Sequence, residues 1–148
     1  MGALIVPTNG VVYIDANAAI YAVERIEPYA SLLYPLWLEA SAGRVTVVTS
    51  ELTWLETLTK PIRDGNAALE LLFRSFLTSR ELQLVPATLD TWERAARIRS
   101  VGLKTPDALH AATAIGVQCD QFLTNDAAFA RVQGLPVTIL STLAASAS

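Results

Sequence analysis

The 148-residue chain has one cysteine, one histidine and only 17% charged residues. Because Cys119 is alone, no intramolecular disulfide can form, which fits a protein of a reducing compartment. There is no Cys/His spacing typical of a zinc site, no Gly-rich phosphate loop and no Gly-x-Ser-x-Gly nucleophile motif. Any chemistry is therefore expected from the acidic residues.

Long apolar runs and an excess of basic charge are also missing. No run approaches the roughly 18–20 apolar residues of a membrane span, and residues 1–10 lack the pattern of a signal peptide. We therefore expect a cytoplasmic protein without membrane contact. The net charge of −3 argues against a simple cationic nucleic-acid-binding module. An acidic site that recruits metal ions stays compatible with a nucleic-acid substrate, because the ions supply positive charge.

Apolar residues, in contrast, are abundant. The hydrophobic content of 52% excludes a disordered chain. It is high for a domain of this size, which cannot bury all of its apolar surface internally. This excess indicates a surface that is covered by a partner.

Short apolar or β-branched runs alternate with helical segments along the chain. The predicted strands lie in 11–15, 44–50, 81–86, 119–126 and 135–140. Strands separated by helices imply right-handed crossovers and a parallel sheet that is covered on both faces. We predict a single three-layer α/β/α domain over 1–148 with a mostly parallel sheet of four to five strands. Its core spans about 11–140, and flexible tails are expected at 1–10 and 141–148.

Local signals also predict where helices begin and end. The helix that starts near Ser50 is expected to stop at Lys60-Pro61, because proline disrupts a helix interior. Asp64 is expected to cap the next helix. In KTPDALHAATAIG (104–116), Thr105 is expected to cap a helix whose first residue is Pro106.

Several carboxylates lie near predicted strand ends or in the helices that follow them. Functional groups of open parallel sheets gather beyond the carboxyl ends of the strands, so these acids are expected to face one rim. Helix capping or the helix dipole explains most of them singly. Glu56 differs, because it lies past the first turn beside an apolar face, where an unpaired carboxylate is costly. The acids are Asp15, Glu51, Glu56, Asp107 and Asp126.

Three or four carboxylates that converge without a cation would repel each other and raise each other's pKa. Mg²⁺ or Mn²⁺ would remove this repulsion, because hard cations prefer carboxylate oxygens. Such a site can activate water and stabilise the charge that develops on a phosphate. One-metal and two-metal sites are both open.

Four segments together resemble the motifs of PIN-domain nucleases, and within them the VapC-type toxins. The segments are YIDAN (13–17), TSELTWLETL (49–58), TPDALHAATA (105–114) and FLTND (122–126), and the resemblance covers roughly 11–140. It implies that four acids bind the metal: Asp15, Glu56, Asp107 and Asp126. It also implies that Asn17 and Thr124 orient the substrate or the ligating acids. Glu51 is the alternative to Glu56.

The resemblance implies a Mg²⁺- or Mn²⁺-dependent endoribonuclease that hydrolyses tRNA, rRNA or mRNA. It further implies the toxin of a toxin–antitoxin pair, with a cognate antitoxin and a homodimeric state. Among the basic residues that precede Asp107, Arg99 and Lys104 are better candidates for contacts with RNA phosphates than Arg94 and Arg97, which have acidic partners four residues away. His110, three residues after Asp107, is expected to pack or to bind a backbone group.

Two other functions remain as alternatives. One is a catalytically weak PIN-like domain that binds RNA or serves as a scaffold. The other is a receiver-type α/β domain with an acidic Mg²⁺ pocket, which is disfavoured because Asp107 and Asp126 lie late in the chain.

Overall fold

Five strands, all parallel, form one sheet in the computed structural model, which describes residues 2–146. Their order across the sheet is β3-β2-β1-β4-β5. The predicted fold is therefore confirmed, with its strand count at the upper end of the expected range. The strands are β1 (Val11–Ile14), β2 (Thr46–Ser50), β3 (Leu82–Val85), β4 (Gln121–Thr124) and β5 (Val137–Ile139).

Helices connect these strands, because parallel neighbours need a long crossover between them. Helices α1, α2, α4 and α7 contribute to the apolar core on one face of the sheet, and α5 and α6 to the core on the other. Helix α3 lies in contact with α1, α4, α6 and β2. The helices are α1 (Ala16–Glu24), α2 (Tyr29–Ser41), α3 (Leu52–Arg63), α4 (Ala67–Leu77), α5 (Leu89–Ser100), α6 (Thr105–Gly116) and α7 (Leu140–Ala145), with a short 3₁₀ helix at Ala127–Arg131.

Alternate side chains of the central strands enter opposite cores. On β1, Val12 and Ile14 belong to the core beneath α1 and α2, whereas Tyr13 belongs to the core beneath α5 and α6. Leu123 and Phe122 divide in the same way on β4. This alternation follows from the two-residue period of a strand, and both sides are apolar because both faces are covered.

Helix α6 approaches the sheet closely because its buried face carries alanines. Ala108, Ala111, Ala112 and Ala114 are at most 1% exposed. Small side chains let the helix backbone approach the strands, which brings the polar residues of its first turns near the sheet edge.

Two predicted helix boundaries are wrong on the α3–α4 side. Helix α3 continues through Pro61 to Arg63. A proline in the last turn removes only one intrahelical hydrogen bond, so the helix tolerates it. Asn66, not Asp64, caps α4, and its side chain accepts the Leu69 N–H at 3.1 Å.

Parts of the segments predicted to be flexible tails make contacts with the rest of the domain. Leu4 is 6% exposed and packs in the core beneath α1 and α2. At the other end, α7 forms, and Asn125 Oδ1 accepts the Ser141 N–H at 2.7 Å. Within residues 2–10 and 141–146, these contacts join the chain to the domain, and the flexibility of the tails stays a prediction. Residues 1, 147 and 148 lie outside the described part of the chain.

Within residues 2–146, no helix has both the length and the apolar character that crossing a bilayer requires.

Candidate functional site

The candidate site lies at the carboxyl ends of β1 and β4, the two neighbouring strands where the strand order reverses. Asp15 directly follows β1, and Asp126 comes two residues after β4. The strands are in register, with Ile14 opposite Leu123. Since ligands of open α/β sheets bind at such switch points, both carboxylates occupy the expected location of a functional site.

Asp15 is held by two hydrogen bonds. It is 5% exposed. Its Oδ1 accepts the Ala18 N–H at 2.9 Å, which caps α1, and its Oδ2 accepts the Thr124 hydroxyl hydrogen at 2.6 Å. The carboxylate is therefore a helix cap and at the same time bound to the neighbouring strand, so its orientation is determined by two elements.

Thr124 connects Asp15 to the second strand-end carboxylate. Its Oγ1 accepts the Asp126 N–H at 3.0 Å while its hydrogen is donated to Asp15. Asp126 in turn caps the 3₁₀ helix, with its Oδ1 accepting the Ala128 N–H at 2.9 Å. The predicted orienting role of Thr124 therefore has a direct geometric basis.

Asp107 and Glu56 come from the helices that border these strand ends. Asp107 lies in the first turn of α6 and is partly buried. Lys104 occupies the N-cap position of α6, and no side chain caps this helix. The prediction that Thr105 is the cap is therefore wrong, because Thr105 is already the first helical residue. Glu56 lies in the second turn of α3 with 28% of its side chain exposed.

The four predicted acids influence each other electrostatically. Burial raises the pKa of Asp15, the hydrogen bonds from Thr124 and Ala18 oppose this rise, and the charge of Glu56 adds to it. Burial also raises the pKa of Asp107, and the charges of Asp126 and Glu56 raise it further. These charge effects link the four predicted acids Asp15, Glu56, Asp107 and Asp126, which we call the acidic cluster. Their shared role in metal binding stays a prediction.

Glu51, the alternative second acid, lies elsewhere. It is exposed at the N-cap position of α3, and its side chain makes no capping hydrogen bond. Glu56 is the glutamate whose charge raises the pKa of both Asp15 and Asp107. This charge effect agrees with the prediction that Glu56 is the second acid of the cluster, and the choice between the two glutamates stays a prediction.

The oxygens of the acidic cluster are all carboxylate oxygens, which Mg²⁺ and Mn²⁺ prefer. A cation would also offset the repulsion that raises the pKa of Asp107. Within residues 2–146, however, no group of three or more His, Cys, Asp or Glu side chains is arranged so that it could hold a metal ion. The prediction that a metal ion binds to Asp15, Glu56, Asp107 and Asp126 therefore stays a prediction.

His110 binds two side chains of this region. It is 2% exposed; its Nδ1 lies 2.6 Å from Tyr13 Oη, and its Nε2 lies 2.6 Å from Glu56 Oε1. His110 is therefore packed in the interior as expected, but its hydrogen-bond partners are two side chains and not a backbone group. In the sequence, the three-residue spacing between Asp107 and His110 indicates that the two share a helix face. It does not indicate the contact of His110 with Glu56, which is 54 residues away in the chain.

The predicted substrate-contact residues differ in how free their side chains are. Asn17 is exposed in the first turn of α1, and Lys104 is exposed beside α6. The charge of Lys104 slightly opposes the burial that raises the pKa of Asp107. Arg99 is exposed, but its Nη1 donates to the Leu103 carbonyl at 3.0 Å. Lys104 and Asn17 are therefore freer than Arg99 to contact a substrate.

Several solved structures share this fold. A structure of VapBC2 from Rickettsia felis bound to a DNA fragment from their promoter matches with a TM-score of 0.70 and 18% identity, over 87% of this chain and 98% of that chain. A toxin–antitoxin complex from Klebsiella pneumoniae matches with a TM-score of 0.65 and 22% identity, over 87% and 97%. VapC20 from Mycobacterium tuberculosis, a Sarcin-Ricin loop cleaving toxin, matches with a TM-score of 0.65 and 16% identity, over 80% and 92%.

At these identities the structural matches show a shared fold. No significant match to the sequence is found among curated proteins. The sequence does match the PIN domain over residues 12–135, a span that includes the whole acidic cluster. This chain therefore belongs to the PIN-domain family.

Proposed function

We propose that this protein is a metal-dependent endoribonuclease that hydrolyses RNA phosphodiester bonds. The observation that carries the proposal is the convergence of four carboxylates from separate parts of the chain on one end of the sheet. Burial and the charges of neighbouring carboxylates raise the pKa of Asp15 and Asp107, and a bound cation would offset the repulsion between these carboxylates. A site of this kind in a PIN-domain chain supports phosphodiester hydrolysis.

In this proposal, Asp15, Glu56, Asp107 and Asp126 hold Mg²⁺ or Mn²⁺. When bound, the cation supplies an activated water and stabilises the charge that develops on the phosphate. Thr124 keeps Asp15 in one orientation through its 2.6 Å hydrogen bond. No covalent intermediate on the protein is required.

Substrate contact is assigned to the exposed residues at the rim of the acidic cluster. Lys104 supplies positive charge next to Asp107, and Asn17 supplies an amide at the start of α1. The remaining donors of the Arg99 guanidinium add a third contact. Because the chain has a net charge of −3, much of the attraction for RNA phosphates is assigned to the bound cation.

We further propose that the protein acts in the cytoplasm as the toxin of a toxin–antitoxin pair and forms a homodimer. The fold similarity to toxin–antitoxin complexes supports this role. Large apolar side chains are also exposed on α3, α4 and α5, where a protein partner would cover them. They include Leu55, Ile62, Leu71, Leu72, Leu89 and Trp92.

Cleavage of structured RNA in the presence of Mn²⁺ tests the nuclease assignment. The wild type is expected to cut, and Asp15→Asn and Asp107→Asn are each expected to lose most of the activity, because each removes one carboxylate charge from the cluster. Equal activity of all three proteins would contradict the metal-nuclease assignment. RNA binding without cleavage by the wild type would instead support a catalytically weak RNA-binding or scaffold domain.

Expression in bacterial cells tests the toxin role separately. Slower growth with the wild type and normal growth with Asp15→Asn would support a toxin. Normal growth with an active wild-type nuclease would indicate an ordinary nuclease instead. Inspection of the neighbouring genes for a small DNA-binding protein is an inexpensive complement.

A further inference from the structure

A chain of three hydrogen bonds links the end of β2 to Glu56 through the interior of the protein. The Ser50 N–H donates to Tyr13 Oη at 3.1 Å, Tyr13 Oη lies 2.6 Å from His110 Nδ1, and His110 Nε2 lies 2.6 Å from Glu56 Oε1. Tyr13 is fully buried, and His110 is 2% exposed. Water therefore does not compete for the first two bonds.

The first donor of this hydrogen-bonded series is a backbone N–H. Because that group can only donate, Tyr13 Oη accepts from Ser50, and the Tyr13 hydroxyl hydrogen is available to His110 Nδ1. When Nδ1 accepts that hydrogen, the imidazole carries its own hydrogen on Nε2, within hydrogen-bond distance of the Glu56 carboxylate.

We propose that Tyr13 and His110 are positioning residues that hold Glu56 in place for cation binding. Burial and ring packing keep the Tyr13 hydroxyl in place, since its ring stacks on Phe122 with centroids 5.0 Å apart. The His110 ring meets the Tyr13 ring edge-on at 5.8 Å. These hydrogen bonds from Ser50 through Tyr13 and His110, which we call the relay, therefore hold one oxygen of the partly exposed Glu56 in place.

Within residues 2–146, Glu56 Oε2 makes no hydrogen bond. This oxygen is the one left for the cation, a step that rests on the proposed function. Partners of this kind orient ligating side chains in metal sites.

The tautomer can be read directly, because the chain has a single histidine. In protein labelled with ¹⁵N-histidine, the metal-free wild type at neutral pH is expected to show a protonated Nε2 and an unprotonated Nδ1. Tyr13→Phe is expected to weaken this preference, because it removes the donor to Nδ1. Protonation of Nδ1 in the wild type would overturn the relay. This measurement needs no metal and no substrate.

Affinity for Mn²⁺, measured by calorimetry on the full chain, tests the positioning role. His110→Leu and Tyr13→Phe are each expected to weaken Mn²⁺ binding by roughly 10–100-fold, the usual effect of removing a hydrogen-bond partner of a ligand. His110→Gln keeps an N–H donor and is expected to restore most of the affinity lost in His110→Leu. Thr113→Val is the control. It removes a buried hydroxyl on the same helix, and among residues 2–146 this hydroxyl donates only to the Leu109 carbonyl.

Unchanged Mn²⁺ affinity in a folded His110→Leu variant would refute the proposal, and so would equal losses in His110→Leu and His110→Gln. If His110→Leu does not fold, Tyr13→Phe decides the question by the same criterion. If the wild type binds no Mn²⁺ at all, the proposed function fails. In that case the ¹⁵N spectrum still decides whether the relay exists.

Discussion

Replacement of Thr124 by valine removes one hydroxyl that joins two carboxylates of the acidic cluster. Valine keeps the shape of the side chain and loses the hydrogen bond to Asp15 Oδ2 at 2.6 Å and the acceptor of the Asp126 N–H at 3.0 Å. Thr124 is fully buried and Asp15 is 5% exposed, so water cannot readily replace the first bond. The Asp126 amide is nearer to solvent, so a hydrogen bond to water is expected to compensate partly for the hydrogen bond that it loses.

These contacts set the size of the effect. A hydrogen bond to a charged group contributes about 1.5–3 kcal/mol, and an unpaired amide that water can reach adds less. We expect the free energy of unfolding of Thr124→Val to fall by about 2–3 kcal/mol at neutral pH. For a domain of this length, about 1 kcal/mol lowers Tm by roughly 2–4 °C, so the expected decrease is about 4–12 °C.

The loss is expected to depend on pH in a defined direction. Burial raises the pKa of Asp15, and the Thr124 hydrogen bond opposes this rise. The variant therefore has an even higher folded-state pKa. An aspartate whose folded-state pKa exceeds its unfolded-state value loses stability as the pH rises through the folded-state pKa. The stability difference should be small near about pH 4 and grow toward neutral pH.

Urea unfolding at several pH values, with a chelator present, measures both effects. Thr113→Val is a matched control, because it makes the same change at a buried position whose hydroxyl donates to the Leu109 carbonyl of its own helix. We expect it to lose less than about 1 kcal/mol, without pH dependence. Wild-type stability of Thr124→Val, or a loss that is the same at every pH, would refute the reasoning.

Three further predictions concern charge, metal and packing. Burial and neighbouring carboxylates raise the pKa of Asp107, so the metal-free wild type should lose stability as the pH rises through that pKa. In urea unfolding, Asp107→Asn should therefore be more stable than the wild type at neutral pH. In acid, the variant should have no such advantage. Mn²⁺ at about 100 times its Kd should stabilise the wild type by about 2.7 kcal/mol in a thermal-shift assay, whereas Asp15→Asn should respond much less. Phe73→Ala should lower the free energy of unfolding by about 3–5 kcal/mol, because Phe73 is 1% exposed. The neighbouring Leu72→Ala, at a residue that is 55% exposed, should lose less than about 1 kcal/mol; similar losses for both would contradict the packing.

The strands and their parallel arrangement were predictable from local patterns. Short β-branched runs separated by helical segments determine a parallel sheet that is covered on both faces. The first run also placed Asp15 at a strand end, and FLTND placed Asp126 beyond another. Helix ends were less predictable, because Pro61 lies inside α3 and Asn66 rather than Asp64 caps α4. Local signals at such positions compete with tertiary packing.

The acidic cluster was only partly predictable. Strand-end positions and the family resemblance predicted that the four acids share one site. They did not decide between Glu51 and Glu56 as the second acid. Exposure separates the two glutamates, since Glu51 is exposed at the start of α3 while Glu56 contacts buried His110. Exposure of a helical residue depends on which neighbours pack against the helix, and a single sequence does not state those neighbours.

The sequence by itself determined the alternation of strands and helices, the parallel sheet and the set of candidate acids. These features depend on the periodicity of residues that are near each other in the chain. Only the tertiary structure decided that Tyr13, His110 and Glu56 form one hydrogen-bonded chain, which joins β1, α6 and α3. Hydrogen bonds between residues 97 and 54 positions apart require the packing of whole elements. That packing placed the only histidine beside the acidic cluster.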